Sequence, residues 1–241
     1  MTESASTLRS IALEKPATIS VFERFHLDYC CGGNRPLSEA CAEKGIAMGD
    51  VLAALDEATR SETEEQDFSQ ATLTALIEHI VNAHHAYVRS ELPQLQSMAQ
   101  RVAAKHGPTH PETISIQRNL AQLADELNFH LNKEERILFP YIEDLERNDN
   151  QDAAPPSACF GSVEGPIQVM INEHESAATL LGEMRAATHG FVPWPEACPT
   201  TVGLYHGLDA FERDLHRHVH LENNLLFPRA IELERKVLAA Q

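Results

Sequence analysis

At 241 residues and 43% hydrophobic content, the chain has room for one sizeable packed domain and a smaller one, which excludes disorder as the default state. Acidic residues outnumber basic ones 36 to 19, and the resulting formal charge of −17 repels nucleic acid and anionic lipid, so neither nucleic acid nor membrane is expected as a partner. No apolar run reaches the roughly 18 residues of a membrane span, and Met1-Thr-Glu-Ser-Ala-Ser lacks the basic region and apolar core of a signal peptide, which together predict a cytoplasmic protein.

Taken in order, residues 1 to about 60 read as several short helices. Pro16 and Thr18-Ile-Ser20-Val-Phe-Glu23 offer a helix start, with Ser20 and Glu23 spaced as a capping box. Leu27-Asp-Tyr-Cys30-Cys31-Gly-Gly-Asn-Arg-Pro36 is a turn, because two glycines, an asparagine and a proline interrupt any regular element. Short helices are expected from Leu37 to Lys44, stopping at Gly45, and from about Met48 to Ala58. The acidic run Ser61-Glu-Thr-Glu-Glu-Gln-Asp67 reads as a linker, dividing a small N-terminal helical domain, residues 1–62, from a larger domain, 69–241.

Beyond it, apolar residues recur at helical spacing. The first long helix spans about Ser69 to Lys105 and contains Pro93, which removes one backbone hydrogen bond and predicts a kink. The second begins near Pro111, carries Ile114, Leu120, Leu123, Leu127, Ile137 and Ile142, and ends around Arg147-Asn148. A loop covers residues 148–164. A third helix follows from about Pro166 to Ala187, then a loop with three prolines, and a fourth from about Thr200 to Leu238. Four long helices without a convincing strand pattern predict an all-α, antiparallel four-helix bundle.

One stretch occurs twice. His130-Leu-Asn-Lys-Glu134-Glu-Arg-Ile-Leu-Phe-Pro140 returns 88 residues later as His218-Val-His-Leu-Glu222-Asn-Asn-Leu-Leu-Phe-Pro228. Positions four apart share a helix face, so each copy aims one imidazole and one carboxylate at the same point. Glu135 lies five residues after His130, about 140° away, which leaves Glu134 as the ligand. Of His216, His218 and His220, only His218 stands four before Glu222. An earlier histidine, His84 or His85, precedes the first copy, and His174 precedes the second. The apolar pattern does not choose between His84 and His85. Each half is thus a hairpin with a histidine on its first helix and His-x-x-x-Glu on its second.

Inward-facing carboxylates are costly unless paired or bound to a cation. Six ligands exceed one tetrahedral zinc, whereas imidazole nitrogen mixed with carboxylate oxygen on four helices follows the logic of di-iron bundles. With both glutamates bridging, two ions share the set together with an oxo or hydroxo group. The cysteines, 30, 31, 41, 159 and 198, are odd in number and lack Cys-x-x-Cys spacing, so they form neither a disulfide framework nor a zinc ribbon. Adjacent Cys30 and Cys31 are too close for an ordinary disulfide; two thiols in a Gly-rich turn are a candidate site for iron transfer, nitric oxide binding or recipient contact.

The repeated motifs, with Asn172-Glu173-His174 and the Leu27-to-Pro36 turn, closely resemble the Repair of Iron Centres family, hemerythrin-like di-iron proteins also called the YtfE/ScdA or DnrN group. The resemblance covers about residues 8–235. It implies a stress-induced protein that restores iron-sulfur clusters damaged by nitric oxide or peroxide, by supplying iron, with damaged iron-sulfur proteins as recipients and small molecules such as nitric oxide or oxygen as ligands of the iron. The implied ligands are His85, His130, Glu134, His174, His218 and Glu222; the family's first histidine stands eight residues before the proline of a Leu-Pro pair, here Leu92-Pro93. Glu173 is a candidate neighbour supporting a ligand. Competing readings are nitric oxide reduction at the centre, an oxygen- or nitric oxide-binding module, and a wholly structural bundle; a homodimer is left open.

Overall fold

The computed structural model describes residues 6–60, 67–149, 156 and 160–239. The linker expected at 61–67, except Asp67, and much of the loop expected at 148–164 lie outside them. The chain divides into two compact units, Met1–Thr72 with His216–Arg229, and Leu73–Leu215 with Ala230–Gln241. All regular elements among the described residues are helical, and none is long and apolar enough to cross a membrane.

The first unit contains α1 (Leu8–Glu14), α2 (Ile19–Arg24), α3 (Leu37–Lys44) and α4 (Met48–Arg60) around a core that includes Leu8, Ile11, Phe22, Tyr29, Leu37, Val51 and Leu55. The side chain of Thr7 caps α1 by accepting from the Ser10 amide at 3.1 Å. Ser20 does not cap α2, contrary to expectation. The chain enters α2 through a 3₁₀ turn at Pro16–Thr18, which places Ser20 inside the helix, where its hydroxyl donates back to the Ala17 carbonyl at 2.9 Å. Gly45 ends α3 in the left-handed region at φ 65°.

Four long helices cross the second unit. The first, α5, runs as Leu73–His79, a π turn at Ile80–His85, and Ala86–His106. The second, α6, runs as Glu112–Lys133, a π turn at Glu134–Leu138, and Phe139–Asp149. Helix α7 spans Glu164–Ala187. The last, α8, runs as Pro199–His220, a π turn at Leu221–Leu226, and Phe227–Ala239, with its middle part belonging to the first unit. The fold is an antiparallel four-helix bundle with a core of Leu76, Leu95, Ile116, Leu120, Leu123, Ile142, Leu204 and Phe211.

The helix runs through Pro93 without a break; the departure from α-helical bonding lies upstream, in the π turn that ends at His85. Each π turn holds one more residue than an α-turn, which advances the helix face by about 100°. This accounts for Ile137: counted with the apolar stripe, it lies inside the second π turn and is 50% exposed. Ile114, counted with it too, is 53% exposed in the first turn of α6.

A capping device is duplicated with the motif. Glu146, sixteen residues after His130, accepts from the Leu73 amide at 2.7 Å and from the Thr74 amide and hydroxyl at 2.9 and 2.8 Å. Glu234, sixteen residues after His218, accepts from the Val163 amide at 2.9 Å and the Ser162 hydroxyl at 2.7 Å. Each carboxylate therefore sits at the N-terminus of the first helix of a hairpin, where free amides and the helix dipole favour negative charge. It also sets where that helix starts, at Leu73 rather than Ser69.

Three buried tyrosines hold their protons beyond the usual range. Burial pushes Tyr205 up to about 12, raises Tyr29 well above 10, and together with Glu234 raises Tyr141. Their folded pKa values exceed the unfolded ones, so this contribution is present below pH 10 and is lost as pH rises above it, by about 1.4 kcal/mol per pH unit for each tyrosine. The tyrosinate absorbance of these residues is expected to rise in one step with loss of helical circular dichroism. Their ionisation near pH 10 with helicity intact would contradict this.

Candidate metal centre

In the second unit, four donor side chains are buried together. His85 closes the π turn of α5, His130 and Glu134 flank the start of the π turn of α6, and His174 lies mid-way along α7; all four are at most 3% exposed. Glu134 Oε2 stands 3.5 Å from His85 Nε2 and 3.4 Å from His130 Nε2. His174 Nε2 is 3.0 Å from His130 Nε2. Donor atoms of His130, Glu134 and His174 lie within 4.8 Å of one another, as do those of His85 and Glu134.

The far sides of two rings are tied to carboxylates. His85 Nδ1 is 2.7 Å from Glu135 Oε1, which also accepts from Arg89 at 2.7 Å, and the ring stacks on Phe139 with centroids 5.7 Å apart. His130 Nδ1 is 2.9 Å from Glu173 Oε2, and Glu173 is also paired with Lys133. A carboxylate on Nδ1 places the proton there and leaves Nε2 as the inward donor, the arrangement common behind metal-bound imidazole. Burial opposes the Glu135 charge, but hydrogen bonds from Arg89 and His85 outweigh it and hold its carboxyl below the usual range. Glu173 is pulled down to about 2, first by its bond to His130 and against some burial.

In the first unit, His218 Nε2 and Glu222 Oε1 are 3.0 Å apart, both fully buried, one turn apart on α8. The neighbouring histidines point elsewhere. His216 faces Glu23 at 3.4 Å, and His220 packs against Tyr29 and accepts from Asn224 Nδ2 at 2.8 Å. Burial, aided by Arg9, lowers His220 to about 4 and keeps it neutral. His84, the alternative to His85, is turned to Asp214, with Nδ1 3.0 Å from Oδ1.

These donors are nitrogen and oxygen only, a set that suits iron or manganese better than a structural zinc. Residues 76–230 match the hemerythrin HHE cation binding domain, and residues 4–59 match a domain of unknown function, DUF542. Over 228 residues the chain is 34% identical to the iron-sulfur cluster repair protein YtfE of Dickeya chrysanthemi, covering 95% of this chain and 97% of the relative. YtfE of Pectobacterium carotovorum is 35% identical over the same length, and that of Escherichia coli O81 34% identical over 224 residues. The chain belongs to the YtfE family.

The DUF542 part of this YtfE-family chain carries the two adjacent thiols. Asp28 organises their turn, accepting from the amides of Cys30, Cys31 and Gly32 at 3.2, 3.0 and 2.9 Å. Gly33 is required, since a Cβ there would meet the Tyr29 carbonyl oxygen at 2.4 Å. Cys30 and Cys31 are free thiols. The neighbouring Cys31 thiol and burial raise Cys30 well above the usual range, while Cys31 is half-buried and 4.0 Å from Asn223 Nδ2.

Two features of the site had no signal in the helix pattern. Glu135 was set aside as a ligand by its angle, yet it is the carboxylate behind His85. The His84–Asp214 pair joins residues 130 apart and has no periodic signature.

Proposed function

We propose that this protein restores damaged iron-sulfur clusters by holding iron at a centre made of His85, His130, Glu134, His174, His218 and Glu222 and releasing it to the recipient protein. The observation that carries the reading is the burial of imidazole and carboxylate donors in sets of metal-binding size without a thiolate among them. His85, His130, His174 and His218 would supply the nitrogen donors, and Glu134 and Glu222, at equivalent places in the two copies of the motif, the carboxylate oxygens. The names of the relatives, iron-sulfur cluster repair protein YtfE, support the same role.

Iron so bound supplies a redox-active, exchangeable cargo, because ferrous iron is held less tightly by nitrogen and oxygen donors than later first-row ions are. Around it, Glu135 and Glu173 fix the inward donor atoms of His85 and His130. Cys30 and Cys31 are assigned to the hand-over, on the support of their shared turn and the half-buried Cys31 thiol. The proposal includes a cytoplasmic location, access of nitric oxide or oxygen to the iron, and a division into an N-terminal domain of residues 1–62 and an iron domain of 69–241, which the two matched stretches support.

Reduced, iron-loaded protein is expected to reconstitute an apo-ferredoxin and to lose iron in proportion. A Cys30→Ala/Cys31→Ala variant is expected to keep its iron and lose most of the transfer. Failure of the loaded protein to transfer iron, where free ferrous iron succeeds, would overturn donation; sustained nitrous oxide production from nitric oxide would replace it with a catalytic role.

A further inference from the structure

A second reactive group lies outside the metal centre. Cys198 stands immediately before Pro199, the first residue of α8, and His106 is the last residue of α5. They are 92 residues apart in sequence, yet His106 Nε2 is 3.4 Å from Cys198 Sγ. The Thr201 hydroxyl is 3.4 Å from the same sulfur. His106 packs edge-on against Trp194, centroids 5.5 Å apart, and the other face of this small cluster is His110, stacked on Trp194 at 3.7 Å with Nδ1 3.1 Å from Glu112. Cys198, His106, His110 and Trp194 are all partly exposed. Helix α5 separates His106 from His85 by 21 residues, about 30 Å along its axis, so the pair is not part of the iron site.

A thiol within hydrogen-bond reach of an imidazole, at the start of a helix, is the arrangement that generates a nucleophilic thiolate. The geometry points to Cys198 with His106 as a site of reversible thiol modification by a low-molecular-weight disulfide such as glutathione disulfide. The Cys198 thiolate attacks one sulfur of the disulfide, whose S–S bond breaks as the new S–S bond to Cys198 forms. The other sulfur leaves with the electron pair and takes the proton carried by His106. Cys198 is oxidised, the departing half is reduced, and no further oxidant is needed. Partial exposure admits the small disulfide, and Trp194 and His110 pack beside His106.

The ionisation agrees with the geometry. Hydrogen bonds from the Thr201 hydroxyl and amide, then from His106, lower Cys198 to about 6, whereas burial raises Cys41 and, with Cys31, raises Cys30. The groups facing the sulfur are His106 from α5 and the Thr200 and Thr201 amides and Thr201 hydroxyl from α8, with His110 and Glu112 beyond Trp194. At pH 7 such a thiol is mostly thiolate, but its lower basicity makes each thiolate a weaker nucleophile. The net advantage over an ordinary thiol is about 2-fold at pH 7 and about 10-fold at pH 6.

The full-length protein incubated with glutathione disulfide at both pH values, with adducts located by peptide mass, tests this. The expected result is an adduct first at Cys198, formed about 10-fold faster than on a free model thiol at pH 6 and reversed by a reductant, with His106→Gln reducing the advantage at pH 6. Iodoacetamide alkylation of the unmodified wild type provides a measurement free of folding effects, with a Cys198 midpoint expected near pH 6. A midpoint at the ordinary thiol value, first modification at another cysteine, or a His106→Gln rate equal to wild type would overturn the assignment.

Discussion

Exchange of Glu134 for leucine is expected to remove iron binding while leaving the metal-free protein at least as stable as wild type. Glu134 is fully buried beside the Nε2 atoms of His85 and His130. A carboxylate there carries a desolvation cost, and leucine of similar volume fills the space without it. Without iron the change is expected to lie within about 1 kcal/mol of neutral or to stabilise. With iron the order reverses. Ligand at a hundredfold excess over its Kd stabilises the wild type by about 2.7 kcal/mol, and the variant loses this. Glu222→Leu is expected to behave alike, because Glu222 holds the equivalent place in the second copy. Glu135→Gln is a graded control. It keeps a partner for His85 Nδ1 but lowers its basicity, so iron affinity should fall about 10–100-fold rather than vanish. Iron analysis with urea denaturation, with and without ferrous iron, separates these outcomes. A Glu134→Leu protein that binds iron normally, or that is destabilised by more than about 3 kcal/mol without iron, would show that Glu134 is a structural group.

That Glu134 could be singled out from the amino-acid sequence, while Glu135 was set aside, follows from the rigidity of the helix. A four-residue interval has one geometric meaning over a single turn, and its repetition 88 residues later doubled the signal. The long helices were legible for the same reason, since each buries an apolar stripe several turns long. The π turns were not. They arise from one added residue in the hydrogen-bond ladder and have no composition of their own, yet among the described residues all three lie at candidate ligands, ending at His85, beginning at Glu134 and containing Glu222. Their added residue is also why Ile137 turned outward. Groups acting across helices were equally hidden. The roles of Glu135, Glu146 and Glu234 have no signal in the helix pattern, because the partner of each comes from another helix; Glu173 was a candidate only through its place beside His174. The Cys-Cys turn was legible as a break through its glycines, but Asp28, which gathers three amides, looked like any loop aspartate.

Glu234→Ala is the substitution expected to cost the most stability outside the metal centre. Its carboxylate is 3% exposed and accepts from the Tyr141 hydroxyl at 2.6 Å, the Ser162 hydroxyl at 2.7 Å and the Val163 amide at 2.9 Å. One side chain of α8 thus holds the second half of α6 and the start of α7. Alanine removes the acceptor and leaves a buried amide and a buried phenol unsatisfied, and each hydrogen bond to a charged group contributes about 1.5–3 kcal/mol. Because water enters part of the space, the expected loss is about 3–5 kcal/mol rather than the sum, a fall in Tm of about 8–15 °C. Glu146→Ala removes the equivalent cap of α5 from a less buried position, where water substitutes for the carboxylate; about 1–2 kcal/mol is expected. Glu234→Gln retains one acceptor oxygen but turns an amide group toward a donor, and should fall between the two. The alanine variant should also lower the ionisation of Tyr141, since Glu234 helps to raise it. Urea midpoints at unchanged m-value and the alkaline titration of the variant test the account together. A Glu234→Ala loss no larger than that of Glu146→Ala would mean that burial adds nothing to the cap, and that the two halves of the duplication are held alike.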